Sequence, residues 1–158
     1  RLRRPLTIRS RRSNAGAWEH KGSNSVINNY AIDVLPSGYF RVFRDSIDGS
    51  VIERNLFYES RGKAVFFTFS LGPHQIAKST VERNLYFAAG SPEITRDLTN
   101  VRAQGAGKTD VYADPLFAVV APREFRLKPD SPALKLGIKQ LSVKGAGLRS
   151  DFPKRLLR

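Results

Sequence analysis

The sequence of 158 residues contains no cysteine and no methionine, and its only histidines are His20 and His74. The absence of cysteine excludes disulfide bonds, thiolate zinc sites and cysteine nucleophiles, and it leaves the redox compartment undetermined. Two isolated histidines do not have the spacing of a histidine-built metal site. We therefore expect no cofactor, although an all-oxygen calcium site stays open because carbonyls and scattered aspartates could supply it.

Long apolar runs are also missing. The longest uncharged apolar-rich stretch, residues 64–71, is far shorter than the roughly 18 to 20 residues needed to cross a bilayer, so no membrane span is predicted. The apolar fraction of 41% is nevertheless sufficient for one continuous core, which excludes wholesale disorder. Because the chain begins with Arg1 and lacks methionine, we expect it to be a fragment or a processed product.

Positive charge is concentrated at the two ends of the chain, which has a formal net charge of +13. Residues 1–25 hold seven Lys or Arg against Glu19 alone, and residues 149–158 hold four against Asp151, so residues 26–148 carry only +4. Such a cluster can bind phosphates by counterion release, but it is also typical of a solvated segment. No zinc-finger spacing or RNA-recognition submotif accompanies it. The sequence therefore disfavours nucleic acid as the partner.

A repeated segment runs through the middle of the chain. Residues 50–58 reappear as residues 79–87, with Glu-Arg-Asn-Leu and two aromatics in common, and a looser copy occupies residues 25–30. Each copy is typical of a strand, a corner and a second strand. A unit of this size cannot bury its apolar face alone, so the copies are predicted to stack. We expect Asn55 and Asn84 to lie above one another, with their side-chain amides hydrogen-bonded along the stack.

The pattern changes after Asp110. Residues 114–117 predict a turn that opens a strand, and residues 125–127 predict a short alternating strand. Residues 131–137 begin with a serine at the N-cap position, continue with proline and end with glycine, which together predict one helical turn or a little more. This last segment is suited to capping the end of the stacked repeats.

These runs resemble a known family. Residues 114–117 and 125–137 closely resemble the C-terminal end of secreted bacterial right-handed parallel β-helix proteins. The segments Arg54-Asn55-Leu56-Phe57-Tyr58 and Arg83-Asn84-Leu85-Tyr86-Phe87 look like the Asn-Leu/Ile-Phe/Tyr rungs of the same proteins.

The resemblance implies an all-β fold, a right-handed parallel β-helix (solenoid) with a C-terminal cap segment. In that interpretation residues 1–24 are a basic N-terminal segment or an incomplete rung. Residues 25–112 are the β-helix rungs, and residues 113–158 are the C-terminal cap and a basic tail.

Members of this family are commonly polysaccharide lyases or glycoside hydrolases. The resemblance therefore implies the C-terminal portion of a secreted or periplasmic monomer that binds or degrades polysaccharide, without a complete active site in this chain. Because a fold does not fix a function, two alternatives stay open. One is a non-catalytic glycan-binding or adhesion module, and the other is a basic nucleic-acid-binding fragment.

The candidate site residues follow from the needs of sugar chemistry, which uses carboxylates as acid, base or nucleophile and cations that neutralise a uronate. Glu53 and Glu82 occupy equivalent repeat positions, as do Arg54 and Arg83, so each pair is predicted to lie about 5 Å apart or a multiple of that. Such a column could hold an anionic sugar chain or be a solvated ion-pair face. The candidate catalytic residues are Glu82, Arg83, Arg54 and Asp45, and the candidate substrate-binding residues are Arg44, Lys63, His74 and Tyr39.

Two further patterns are weaker. Residues 104–109, Gln-Gly-Ala-Gly-Lys-Thr, imitate the end of a phosphate-binding loop, but Arg102 stands where the motif requires its first glycine. The segment is therefore predicted to be a loop. Aromatic side chains could stack on sugar rings, although for Tyr58 and Tyr86 the repeat favours core ladders.

Overall fold

The computed structural model describes residues 7–8, 18–20, 24–34, 40–42, 48–69, 76–91, 93–121 and 124–141. Within these ranges the elements are β1 (Thr7–Ile8), β2 (Trp18–His20), β3 (Ser25–Ile27), β4 (Tyr30–Ile32), β5 (Phe40–Val42), β6 (Val51–Glu53), β7 (Leu56–Glu59), β8 (Phe67–Phe69), β9 (Thr80–Glu82), β10 (Leu85–Ala88), α1 (Arg96–Ala103), β11 (Val111–Tyr112), β12 (Phe117–Ala121), β13 (Glu124–Leu127) and α2 (Pro132–Lys135).

The described strands form four small sheets. A five-stranded sheet has the order β1-β4-β7-β10-β11, and two three-stranded sheets have the orders β2-β5-β8 and β3-β6-β9. All pairings in these three sheets are parallel. Strands β12 and β13 form the fourth sheet, which is antiparallel.

The repeat copies pair with one another as the sequence predicts. Leu56 of β7 lies opposite Leu85 of β10, and Glu53 of β6 lies opposite Glu82 of β9. Tyr30 of the looser copy lies opposite Leu56. The stacking of the copies is therefore confirmed for the strands that flank each corner.

The predicted fold class is wrong. The strands belong to separate small sheets, one of which is antiparallel, and two helices accompany them, so the chain is not an all-β right-handed parallel β-helix with a C-terminal cap. The repeat pattern reports only how equivalent strands pair. It carries no information on the helix and the antiparallel pair that follow the last copy.

The five-stranded sheet is apolar on both faces. Alternate residues of its strands point to opposite sides, and buried apolar side chains occupy both sets of positions. Phe57 and Tyr86 lie on one face, where their rings stack with centroids 4.9 Å apart, in a core that also includes Ile52 and Phe67. We call this the inner core. The opposite face packs against the C-terminal segment, in a second core formed by Tyr30, Ile32, Leu56, Leu85, Phe125, Leu127, Ala133, Ile138 and Leu141.

Helix α1 was not predicted, since helical periodicity is poor between residues 26 and 120 as a whole. Its buried residues, Leu98 and Val101, are three positions apart and pack on the inner core. Local signals were present in a threonine at the N-cap position, although its side chain makes no capping hydrogen bond, in an aspartate in the first turn and in an arginine in the last. Neither helix of the described ranges is long and apolar enough to cross a membrane.

The local predictions for the C-terminal segment are confirmed, but its position is not an end cap. Strand β12 begins at Phe117, and the Ser131 hydroxyl caps α2 by accepting from the Ala133 backbone N–H (3.1 Å). The Tyr30 hydroxyl donates to the Lys139 carbonyl (3.1 Å), which ties the segment to the face of the five-stranded sheet. Burial raises the pKa of Tyr30 to about 12, so this donor keeps its proton at ordinary pH.

Candidate functional site

The corner between strands is built in the same way in each repeat copy. A single residue adopts a left-handed backbone conformation, at φ 56° for Asn28, 53° for Arg54 and 56° for Arg83. This conformation is unfavourable for residues other than glycine, so the surrounding structure must hold it. The compensation comes from the asparagine that follows each of these residues.

The asparagines form a ladder. The side-chain amide of Asn29 donates to Oδ1 of Asn55 (3.1 Å), and that of Asn55 donates to Oδ1 of Asn84 (3.0 Å). The same two acceptor oxygens also receive the backbone N–H of Asn29 (3.0 Å) and of Asn55 (2.9 Å). Asn55 in addition donates to the Val26 carbonyl (2.9 Å). The predicted stacking of Asn55 on Asn84 is thereby confirmed, and we call the set Asn29, Asn55, Asn84 and Asp110 the corner ladder.

Asp110 ends the corner ladder with a carboxylate in place of an amide. Its Oδ1 accepts from the backbone N–H (2.9 Å) and the side-chain amide (3.2 Å) of Asn84, and its Oδ2 accepts from the Tyr86 hydroxyl (3.0 Å). Burial raises the pKa of Asp110, an effect that these hydrogen bonds and the Arg102 charge only partly oppose. Burial also raises the pKa of Tyr86, and the Asp110 charge adds to that shift.

The predicted charged column lies on the outside of the corner. Glu53 accepts from Arg54 Nη1 (3.0 Å) and also from Arg83 Nη2, and the same Arg83 nitrogen lies 3.8 Å from Glu82. The Glu53 side chain is only 11% exposed, whereas those of Arg54 and Arg83 are 29% and 45% exposed. One buried carboxylate therefore holds two guanidinium groups from adjacent repeat copies side by side.

This arrangement does not resemble the carboxylate pair of a glycosidase. Glu53 and Glu82 are neighbours in register, as predicted, but Glu53 is enclosed by its two arginines. A retaining or inverting enzyme needs one carboxylic acid able to protonate the leaving group and a second carboxylate facing it across the scissile bond. The cluster instead presents two cations whose positions are fixed, which suits the binding of anionic groups.

The other candidate residues do not join this cluster. Lys63 is exposed and follows β7, whereas Arg54 precedes it, so the two lie beyond opposite ends of that strand. The remaining four candidates, Asp45, Arg44, His74 and Tyr39, lie outside the described residues. Of the residues predicted as catalytic, the structure brings together Glu82, Arg83 and Arg54.

Two further lysines, absent from the predicted set, adjoin the corner. The Lys139 backbone N–H donates to Asn28 Oδ1 (3.3 Å), which brings the end of the C-terminal segment to the same column. The Arg83 backbone N–H donates to Thr109 Oγ1 (3.0 Å), and the exposed Lys108 precedes that threonine. We call Arg54, Arg83, Lys108 and Lys139 the basic corner. The repeat pattern could not reveal either lysine, because both come from non-repeated segments.

Four acidic side chains of the described ranges are buried. Glu59, of which 2% is exposed, accepts from Arg61 Nε (2.8 Å), and the buried Asp33 accepts from the Ser60 hydroxyl (2.8 Å). Together with Glu53 and Asp110, these residues remove four negative charges from contact with solvent.

The segment that imitates a phosphate-binding loop ends a helix. It follows α1, whereas a phosphate-binding loop precedes its helix. The backbone N–H of Gly105 donates to the Arg102 carbonyl (2.9 Å), and that of Gly107 donates to the Val81 carbonyl (2.8 Å). Both amides therefore donate to backbone carbonyls within the fold and do not form a phosphate-binding loop. Within the described part of the chain, no group of three or more histidine or acidic side chains is placed to hold a metal ion.

The aromatic side chains divide between the core and its margin. Tyr30 and Tyr86 are buried, as the core interpretation predicts for Tyr86. Tyr58 is half-buried and stacks on Phe87 with centroids 5.8 Å apart. Comparison of the chain with family models, with curated proteins and with solved structures found no match.

Proposed function

We propose that this protein binds an acidic polysaccharide at the basic corner and does not cleave it. The observation that carries the proposal is the pair of guanidinium groups that Glu53 holds at equivalent positions of two adjacent repeat copies. A polyuronate offers carboxylates at regular intervals along its chain. Two forked donors with fixed positions match such a ligand better than flexible lysines do.

Two other features support an anionic glycan as the ligand. The basic corner adds Lys108 and Lys139, whose segments contact Arg83 and Asn28 respectively. The resemblance of the repeat and C-terminal segments to secreted carbohydrate-active proteins points to the same ligand class. A secreted or periplasmic location and a monomeric state form part of this proposal.

A binding module is favoured over a lyase or a hydrolase because the cluster has no free acid and base pair. Glu53 is buried beneath two arginines, and the Arg83 guanidinium lies close to Glu82 as well. Elimination beside a uronate requires a base in addition to the neutralising cation. In the cluster both carboxylates contact Arg83, so neither Glu53 nor Glu82 is free to act as that base.

The test is affinity for polygalacturonate, an acidic polysaccharide, with dextran as the neutral comparison. We expect the unaltered protein to bind only polygalacturonate, and Arg54→Gln/Arg83→Gln to bind it at least about tenfold more weakly, which corresponds to about 1.4 kcal/mol. Arg126→Gln is the matched control, because Arg126 is exposed and lies 3.7 Å from Glu124 in β13, with no contact to the Glu53 cluster among those described. Equal loss in the control and the double variant would contradict the proposal.

The double variant leaves the largely buried Glu53 without its partners, so its fold must be checked by circular dichroism. Lys139→Gln provides a second test that leaves the Glu53 cluster intact, since Lys139 contacts the corner through its backbone. We expect a smaller loss of affinity from this change. Release of new reducing ends or of unsaturated products would show an enzyme, and tighter binding to duplex DNA with a steep salt dependence would favour the nucleic-acid alternative.

A further inference from the structure

Each of the three parallel sheets runs from the start of the described chain to its later part. Strands β1, β2 and β3, which lie within residues 7–27, form one edge of their respective sheets. The opposite edges are formed by β11, β8 and β9, which lie within residues 67–112. An edge strand with unpaired N–H and carbonyl groups is a template for pairing with another chain, so such edges have to be protected.

The later edges are all covered by one segment. We call residues 96–113, which are α1, the turn after it, β11 and Ala113, the edge cover. Beside β8, Asp97 Oδ2 accepts the backbone N–H of Phe66 (2.7 Å) and of Phe67 (2.8 Å). One carboxylate thus takes the place that the carbonyls of a neighbouring strand would have.

The turn after α1 covers β9 and the corner that follows it. The Gly107 N–H donates to the Val81 carbonyl (2.8 Å), and Thr109 Oγ1 accepts the Arg83 backbone N–H (3.0 Å). Gly107 has φ 63°, and a Cβ atom there would lie 3.1 Å from Asp110 Oδ2. The turn that brings this N–H to the edge of β9 therefore depends on glycine.

The same segment covers β10. Strand β11 has only two residues, which pair with the first two residues of β10. Before β11, Asp110 Oδ1 accepts the Asn84 backbone N–H (2.9 Å), and at its end the Tyr112 hydroxyl accepts the Ala88 N–H (3.2 Å). The edge cover therefore occupies backbone groups at or beside all three of the strands β8, β9 and β10, largely through side chains.

A second copy of this chain carries the strands that fit these edges. Because all pairings in the three sheets are parallel, a copy placed head to tail would present β1, β2 and β3 in the direction needed to continue them. Among the described strands, β3 pairs with β6 alone. Ile27 of β3 lies opposite Glu53, which in turn lies opposite Glu82. In the next step of this register, the N–H of Ile27 from the second copy would meet the Val81 carbonyl, to which Gly107 now donates.

We propose that the edge cover prevents head-to-tail association, in which β8, β9 and β10 of one copy pair with β2, β3 and β1 of the next. This contact joins two different surfaces, so the sheets would continue from copy to copy and give extended assemblies. Release of α1 is the step that exposes the edges. The inference does not depend on glycan binding, because it rests on the backbone groups of the strand edges.

The direct test is sedimentation velocity of the intact chain carrying Asp97→Ala, at about 0.5 M salt, where the repulsion between copies with a formal net charge of +13 is screened. The matched control is Asp97→Asn, which changes the charge equally but keeps a side-chain oxygen as an acceptor. We expect the unaltered protein and Asp97→Asn to stay monomeric. We expect the mass of Asp97→Ala to rise with protein concentration beyond that of a dimer.

Hydrogen exchange at the Phe66 and Phe67 amides reports whether the edge cover has been released. Faster exchange in a protein that stays monomeric would overturn the proposal, and so would unchanged exchange in Asp97→Ala. Equal association of Asp97→Ala and Asp97→Asn would trace the effect to charge and also contradict it. If Asp97→Ala does not fold, Gly107→Val takes its place, since valine is strained at φ 63° and should move the N–H away from Val81.

The partner edge is tested by adding Ile27→Pro to Asp97→Ala. The Asn28 N–H donates to the Glu53 carbonyl of β6 (3.2 Å), so the N–H of the preceding Ile27 points to the other edge of β3. Proline is tolerated at such a position because its missing N–H takes no part in the existing ladder. We expect the double variant to be monomeric although its Phe66 and Phe67 amides exchange fast. Association that persists in the double variant, or an Asp97→Ala assembly that ends at a dimer, would overturn the head-to-tail pairing.

Discussion

The side-chain amide and the backbone N–H of Asn55 both donate to one oxygen, Oδ1 of Asn84, at 3.0 and 2.9 Å. Both residues are fully buried. A buried donor without a partner is costly, so each asparagine is satisfied only when the next copy supplies its oxygen. The left-handed corner residues Arg54 and Arg83 are held in place by this shared network.

Replacement of Asn55 by alanine should therefore destabilise the protein strongly. The change removes the acceptor for the Asn29 backbone N–H and leaves Asn84 Oδ1 with one donor fewer. We expect the free energy of unfolding to fall by about 2 to 4 kcal/mol, measured by urea denaturation. Asn100→Ala, at an exposed position of α1, is the matched control and should change it by less than about 0.5 kcal/mol. Equal effects of the two changes would contradict the role of the ladder.

The corner ladder could be predicted from the sequence because its signal is local and repeated. Asn55 and Asn84 stand at the same place in two copies of Glu-Arg-Asn-Leu, and a parallel pairing of equivalent strands must bring them together. The final member was missed. Asp110 lies in no recognisable copy, and its role follows from the turn after α1, which only the folded chain reveals.

A second buried carboxylate, that of Glu59, is paired with Arg61. Glu59 accepts from Arg61 through Nε (2.8 Å) and Nη2 (3.1 Å), and the same guanidinium donates to the Asp33 carbonyl (2.8 Å). Arg61→Ala would weaken the compensation of the buried Glu59 charge, and we expect a loss of about 1 to 3 kcal/mol in urea unfolding experiments. Arg126→Ala removes an arginine from an exposed pair and should cost less than about 0.5 kcal/mol. A loss in Arg126→Ala as large as in Arg61→Ala would contradict this account.

The position of the C-terminal segment could not be predicted, although its local structure could. Turn and capping residues such as Ser131 act within a few positions of themselves, and they specify α2 correctly. Which apolar surface α2 and β13 cover depends on Tyr30 and Leu56, more than sixty residues away in the chain. The repeat strands are apolar on both faces, so the sequence alone leaves two surfaces for the segment to cover.

Replacement of Asp97 should weaken the attachment of helix α1 to the start of β8. Asp97 Oδ2 accepts the backbone N–H of Phe66 (2.7 Å) and of Phe67 (2.8 Å), so it satisfies donors at the start of β8 while it fixes the helix above the core. Asp97→Ala should reduce stability by about 1 to 3 kcal/mol and increase hydrogen exchange at these two amides.

Glu93→Ala is the control for this change, because Glu93 is an exposed carboxylate shortly before the helix. It should leave both the urea midpoint and the exchange of the two phenylalanine amides unaltered. If Asp97→Ala behaved in the same way, the carboxylate would not be what attaches α1.

Gly62 and Gly90 lie in adjacent turns, and alanine substitution is expected to change stability very differently at the two positions. A Cβ atom at Gly90 would lie 2.6 Å from the Gly62 carbonyl carbon and 2.8 Å from the Lys63 nitrogen, both of them backbone atoms that cannot move aside independently. The Gly90 backbone N–H also donates to the Gly62 carbonyl (2.9 Å), so this close approach is part of the turn. We expect Gly90→Ala to lower the free energy of unfolding by about 1 to 3 kcal/mol, measured by urea denaturation.

Gly62→Ala is the control. A Cβ atom at Gly62 would meet nothing within 4 Å, so this change should be neutral or slightly stabilising, because alanine restricts the unfolded chain. Similar effects of the two substitutions would show that the two turns do not approach each other as closely as described.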